Sequence, residues 1–373
     1  MGGPWGAGGP IERAVSSLPT WASATVAVVA FLFAVRLLGT ATGASAPALG
    51  RLLGAVLVSD PPALGLGWVA AATLGNGTVV AAVSLSLHAT GLVTVPQLFL
   101  LVVGSRLGAT GIVIFIGGVD HLRGRPEAVG ESLELGLLAA GLTAAVYLPT
   151  AVAGYVLTRS ETVVDAVGRT ADAPAPIETV IGPAGELSPP TVFEPVAVSL
   201  TDLIGAPAAV LCAVGLVFVA LDLFDRVLGA ADTERVRSAV AAWLDGRWRA
   251  AAVGGVVSAV TTSVAFSLGV VVPLYNRGYI SRRETVPYVL GANVGTLADT
   301  LAVAVLIGDR AGVATVLSVT AGAVVVTTLA LVAFRPFLRL ATGVLDEVLV
   351  SWRRTVAALV GFVGTPLGLV LFG

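Results

Sequence analysis

Long apolar stretches broken by short polar interruptions run through almost the whole chain. A helix that crosses a bilayer needs about 20 mostly apolar residues. Residues 20–39, 136–158, 203–223 and 311–334 meet that length without interruption, and a fifth run, 355–372, is interrupted by Pro366. Two further apolar stretches, 62–117 and 250–307, are punctured repeatedly by Gly, Pro, Asn, Ser and Thr. They are too long for one helix and too broken for two clean ones. Each predicts a helical hairpin that enters and leaves on one side, followed by a broken crossing helix. The chain opens on a Gly- and Pro-rich tail over residues 1–18, and Ala44-Ser45-Ala46 resembles a small-residue cleavage site. The apolar run before it exceeds the roughly 7–15 residues of a signal peptide, so it is read as a retained first membrane helix.

Composition agrees with this pattern. The 373 residues are 56% hydrophobic and 12% charged, against about 25% charged for a soluble domain. This excludes a disordered chain, a nucleic-acid binder and an ordinary soluble enzyme. All 21 basic residues are arginine. Cys212 is the single cysteine, and His88 and His121 stand far apart, so neither a disulfide framework nor a metal ligand set is encoded. Without a phosphate loop or a nucleophile–base pair, the chain is expected to be neither an ATP-driven pump nor an enzyme, and to need no cofactor. His88 is read as a hydrogen-bonded packing residue, and the tryptophans, Trp68 among them, as lying mostly near the membrane interfaces.

Charge placement sets the expected topology. Segment 159–202 holds Pro174, Pro176, Pro183, Pro189, Pro190 and Pro195, and its acids outnumber Arg159 and Arg169, as in an extramembrane loop. Segment 224–249 packs Arg226, Arg235, Arg237, Arg247 and Arg249 beside a membrane run, which places it in the cytoplasm and the acidic loop outside. Residues 232–249 read as an amphipathic helix on the inner surface. Arg335, Arg339, Arg353 and Arg354 place 335–354 inside as well. The expected division is a first transmembrane repeat over 1–158, an extracellular loop over 159–202, a second repeat over 203–334, and a cytoplasmic segment with a C-terminal membrane helix over 335–373. The protein is thus expected to be a multi-pass protein of the cell membrane.

The word "repeat" rests on an alignment without gaps. Gly91–Gly108 lies over Gly278–Gly295, with glycines superposed at both ends and at Gly104 and Gly291, and the same offset pairs Gly67 with Gly254. With one hairpin near the outside and the other near the cytoplasm, the fold is expected to be all-α and polytopic. It would comprise two inverted-topology repeats, each with a re-entrant hairpin and a broken transmembrane helix. Secondary transporters have this layout, with the site at the repeat interface near the bilayer midplane.

Thr261-Thr262-Ser263-Val264-Ala265, Gly278-Tyr279-Ile280-Ser281 and Gly291-Ala292-Asn293-Val294-Gly295-Thr296 carry a resemblance to the second half of the sodium–phosphate cotransporters, type II and bacterial. Members of that family have a QSSS motif in each hairpin and GANIGTT in the helix after it. The resemblance extends over most of residues 45–120 and 225–335. It implies sodium-coupled phosphate uptake, with inorganic phosphate, sodium and the lipid bilayer as partners and no nucleic acid. Both QSSS positions are altered. The second copy reads Thr262-Ser263-Val264-Ala265, and the first reads Gly75-Asn76-Gly77-Thr78. In the first copy of the other motif, Arg106 stands where asparagine is expected.

Broken helices supply what an oxyanion and a cation need: free N–H groups at helix N-termini and unwound carbonyls. The candidate substrate-binding residues are therefore Asn76, Thr78, Arg106, Thr262, Ser263 and Asn293. Thr261, Thr296 and Asp299 are candidates for an ion, with sodium as the coupling ion. An arginine at the centre of a membrane helix costs at least about 2.5–3.5 kcal/mol, and three readings of Arg106 stay open: it binds the anion, its fixed charge replaces a sodium ion, or it snorkels to a headgroup. Beside phosphate symport stand two alternatives, a paralogue that carries another solute or runs without sodium, and a non-transporting sensor or scaffold.

Overall fold

The structure is a computed structural model that describes residues 20–111, 114, 126–159, 189–229, 243–244, 246–261, 275 and 280–373. Every regular element among these residues is a helix. Six helices are long and apolar enough to cross a membrane: Ala22–Ala44, Glu134–Thr158, Ala206–Phe224, Arg282–Ile307, Arg310–Val332 and Trp352–Phe372. The chain is therefore an all-α, multi-pass membrane protein.

Helix α1 (Thr20–Ala44) is followed by α2 (Ala46–Val56) and α3 (Pro61–Leu74), which meet at a bend of 110°. Helices α4 (Gly77–Ala89), α5 (Val95–Ala109) and α6 (Pro126–Thr158) follow. Then come α7 (Pro189–Ile204), α8 (Ala206–Gly229), α9 (Arg247–Thr261), α10 (Arg282–Gly295), α11 (Leu297–Ile307), α12 (Arg310–Val332), α13 (Phe334–Leu349) and α14 (Trp352–Phe372). Helices α3 and α4 fall in the first punctured stretch, and α5, 15 residues long, stands where the sequence expects the crossing helix. Helices α10 and α11 are one span interrupted at Thr296. Pro366 lies inside α14 without ending it.

One local feature departs from the sequence reading. Residues 189–204, expected as the end of a loop, are helix α7. Prolines in a first helical turn remove only N–H groups that have no intrahelical partner, and α7 gains packing on α1 through the edge-on contact of Phe193 with Phe33 and the ion pair of Glu194 with Arg36. Trp68 is buried and packs edge-on against Phe362 of α14. Most of the expected amphipathic helix 232–249 lies outside the described residues.

The repeat is visible as a seam of glycines. In the first copy, a Cβ on Gly67 would strike the carbonyl of Leu101, one on Gly104 that of Leu64, and one on Gly108 that of Trp68. In the second copy the same holds for Gly254 and Tyr288, Gly291 and Ala251, and Gly295 and Gly255. Each close approach maps onto its counterpart by the offset that aligned the sequences. Small residues let helix backbones touch where lipid gives no hydrophobic drive to pack, so α3 lies along α5 and α9 along α10. Both crossing helices also begin alike: capping boxes from Thr94 to Gln97 and from Ser281 to Glu284 satisfy their first N–H groups.

Helices α3 and α10 start at opposite ends of α6. Asp60, just before α3, pairs at 2.9 Å with Arg159, just past the C-terminal end of α6. Glu134, at the start of the membrane-crossing part of α6, pairs at 2.8 Å with Arg282, which opens α10. Arg282 also binds Asp346 of α13 at 2.8 Å. Its neighbour Arg283 lines one polar cavity of about 680 Å³ with Arg335 and with Arg247, the first residue of α9. The 25 residues between Glu134 and Thr158 span about 37 Å of helix.

Candidate functional site

The tip of the first hairpin is built by three consecutive choices of residue. Gly75 takes a left-handed conformation (φ 68°) that closes α3. Asn76 is extended and caps α4, its Oδ1 accepting from the N–H groups of Thr78 (2.9 Å) and Val79 (3.2 Å). Gly77 leaves the tip room to lie against the Ser105 carbonyl of α5. Thr78 is thereby held with its hydroxyl toward the second copy, where it donates to Asp299 Oδ2.

Asp299 lies in the first turn of α11, just past the break at Thr296, and is only 5% exposed. Its Oδ1 accepts from Thr300 Oγ1 at 2.9 Å. Arg106, near the C-terminal end of α5 and 4% exposed, faces the same carboxylate, with Nη1 at 3.6 Å from Oδ1. The guanidinium also donates from Nη1 to the Thr296 carbonyl (3.1 Å) and from Nη2 to Thr300 Oγ1 (2.7 Å). Thr78, Asp299, Thr300, Arg106 and Thr296 thus form one buried network that ties hairpin one to the break in the second copy's crossing helix. A paired, hydrogen-bonded charge is how a bilayer-spanning bundle tolerates an arginine and a carboxylate.

Asn293 occupies the position of the second copy that corresponds to Arg106. Its Oδ1 accepts from Thr143 Oγ1 at 2.9 Å, and its carbonyl accepts from Tyr147 (2.6 Å) and Thr296 Oγ1 (2.9 Å). Two donors in this region are buried without an acceptor: Arg106 Nε and Asn293 Nδ2. Buried polar groups are nearly always paired, so an orphan calls for an explanation.

Six of the nine residues singled out from the sequence fall in two adjoining groups. Thr78, Arg106, Thr296 and Asp299 share the network, Asn293 adjoins it through Thr296, and Asn76 holds the tip that presents Thr78. Thr261 lies at the end of α9, its hydroxyl donating to the Val257 carbonyl at 2.7 Å. Thr262 and Ser263 lie outside the described residues. Sequence reasoning missed Thr300, Thr143 and Tyr147. The signal for the last two was a pair of hydroxyls one helical turn apart in an otherwise apolar span; for Thr300 it was a hydroxyl next to a membrane-embedded carboxylate. A separate cavity of about 420 Å³, lined by Trp68, Leu107, Phe337 and Phe362 among other apolar side chains, offers no comparable set of donors.

No curated protein and no solved structure matches the chain. Residues 216–373 match the model of the Na+/Pi-cotransporter family. The match takes in most of the second repeat, including Asn293, Thr296 and Asp299, and continues through α13 and α14. Over this second half the chain is similar to the Na+/Pi-cotransporter family.

Proposed function

We propose that this membrane transporter carries inorganic phosphate into the cell through the cell membrane, coupled to sodium, by alternating access between two inverted repeats. One observation carries the anion assignment: Arg106 Nε and Asn293 Nδ2 are buried donors without acceptors, on corresponding positions of the two copies. An oxyanion with several acceptor oxygens is the ligand class that such donors suit. The starts of α3 and α10 at opposite ends of α6 support the inverted arrangement, and the tip at Gly75–Thr78 meets α11 just past the break at Thr296 through the Thr78–Asp299 hydrogen bond. A site on the seam between two copies opens to one side or the other as one rocks against its neighbour. Sodium would draw on the Thr78 and Thr296 hydroxyls beside the Arg106–Asp299 pair, and Thr261, outside the network, belongs to the proposed ion site by sequence. Thr262 and Ser263 belong to the proposed second tip by sequence.

The test is uptake of phosphate into proteoliposomes with and without an inward sodium gradient. Accumulation that needs the gradient is expected. No uptake under either condition, by protein that remains folded, overturns the reading.

A further inference from the structure

We infer that the guanidinium of Arg106 serves as a built-in cation: it fills a position that an asparagine at 106 would leave to a sodium ion. The inference deepens the proposed function and rests on it for the identity of the ion. The first argument is the nature of its partners. Every group bound to the two terminal nitrogens is an oxygen: the Thr296 carbonyl, Thr300 Oγ1 and, at 3.6 Å, Asp299 Oδ1. A main-chain carbonyl at a helix break, a threonine hydroxyl and a carboxylate are the ligand types that hold hard cations in transporters.

The second argument is electrostatic. Thr296 closes α10, and the C-terminal end of a helix carries a partial negative charge that favours a cation. Asp299 adds a full negative charge with almost no access to water. A buried carboxylate stripped of its partner is strongly destabilised, so the cage demands a positive charge at all times.

The third argument is the repeat. Arg106 and Asn293 correspond, both crossing helices are seated by the same glycine contacts, and only the first copy places a charge at this position. Asn293 is neutral and engages its Oδ1 with Thr143. The charge is thus an addition to one half of a symmetric design, not a requirement of the helix packing. The consequence is a cycle in which this cation travels with the protein and never exchanges with solution. Nε of the same guanidinium, which the cage leaves without a partner, stays available to the anion.

The experiment compares full-length wild type with Arg106→Asn, Arg106→Lys and the double variant Arg106→Asn/Asp299→Asn, all purified. Unfolding midpoints are read as sodium chloride replaces choline chloride at fixed ionic strength. Arg106→Asn is expected to gain a saturable rise of about 3–6 °C beyond any wild-type response. Arg106→Lys should behave as wild type, and the double variant should lose the gain because the cage no longer carries a charge. An Arg106→Asn protein with wild-type sodium response overturns the inference. So does a variant that cannot be folded in either salt, because free sodium then fails to take the guanidinium's place. This readout is independent of transport: a sodium gain in Arg106→Asn without phosphate uptake by wild type would sink the phosphate reading and leave the built-in cation standing.

Discussion

Thr78 and Asp299 come from different copies, and their hydrogen bond is the most direct side-chain link between hairpin one and the second crossing helix. A hydrogen bond to a charged group contributes about 1.5–3 kcal/mol. Thr78→Val keeps the shape and removes the donor, so phosphate uptake should fall about tenfold or more while the protein still purifies as a folded species; uptake at the wild-type rate would remove Thr78 from the site. Tyr147→Phe deletes only the hydroxyl that binds the Asn293 carbonyl at 2.6 Å. Its expected effect is smaller, about 0.5–1.5 kcal/mol of stability, measurable as a lowered unfolding midpoint. At this scale the sequence was informative where a polar residue was out of place, as with Arg106 and Asp299. It was silent where a common residue acquired its role only through a distant partner, as Thr143 did by meeting Asn293.

At the scale of elements, the glycine seams decide how the hairpins sit. Gly→Ala in a helix interior is ordinarily favourable by about 0.5–1 kcal/mol. At Gly104 and Gly291 the added methyl would strike the Leu64 and Ala251 carbonyls, which are backbone and cannot rotate away. Each substitution should therefore lower stability by about 1–3 kcal/mol, as overpacking does. Gly39→Ala, with nothing within 4 Å, is the control and should be neutral or mildly stabilising. Equal midpoints for all three variants would show that the seams do not hold the helices together. Apolar length was enough to place α1, α6, α8, α12 and α14 from sequence, because lipid imposes one rule on every crossing helix. Helix α7 escaped it because prolines and acids read as a loop, while its stability comes from packing on α1. The glycines announced a repeat, yet which carbonyl each one touches required the packed bundle.

For the whole molecule, the two hairpins should open toward opposite sides of the membrane. The single cysteine, Cys212, is exposed, so labelling calls for a Cys212→Ala background. In it, Val58→Cys before α3 and Trp248→Cys at the start of α9 place one exposed thiol beside each hairpin. A membrane-impermeant maleimide added to intact cells should label Val58→Cys at once and Trp248→Cys only after permeabilisation. Labelling of both from the same side would contradict the inverted arrangement. The charge pattern had already set Arg247 and Arg335 in one compartment, and the structure places them around a single cavity.

These scales meet in one proposal: that the chain binds phosphate where the first hairpin's tip and the second copy's helix break converge, with Asn293 as a donor from the second copy. Equilibrium binding of radiolabelled phosphate to the purified protein tests it most directly, with wild type and Asn293→Ala compared at equal folded concentration. The account predicts saturable binding by wild type and a loss of affinity of about tenfold or more in Asn293→Ala. Phosphate binding that is unchanged by the substitution, or absent from folded wild type, would contradict it.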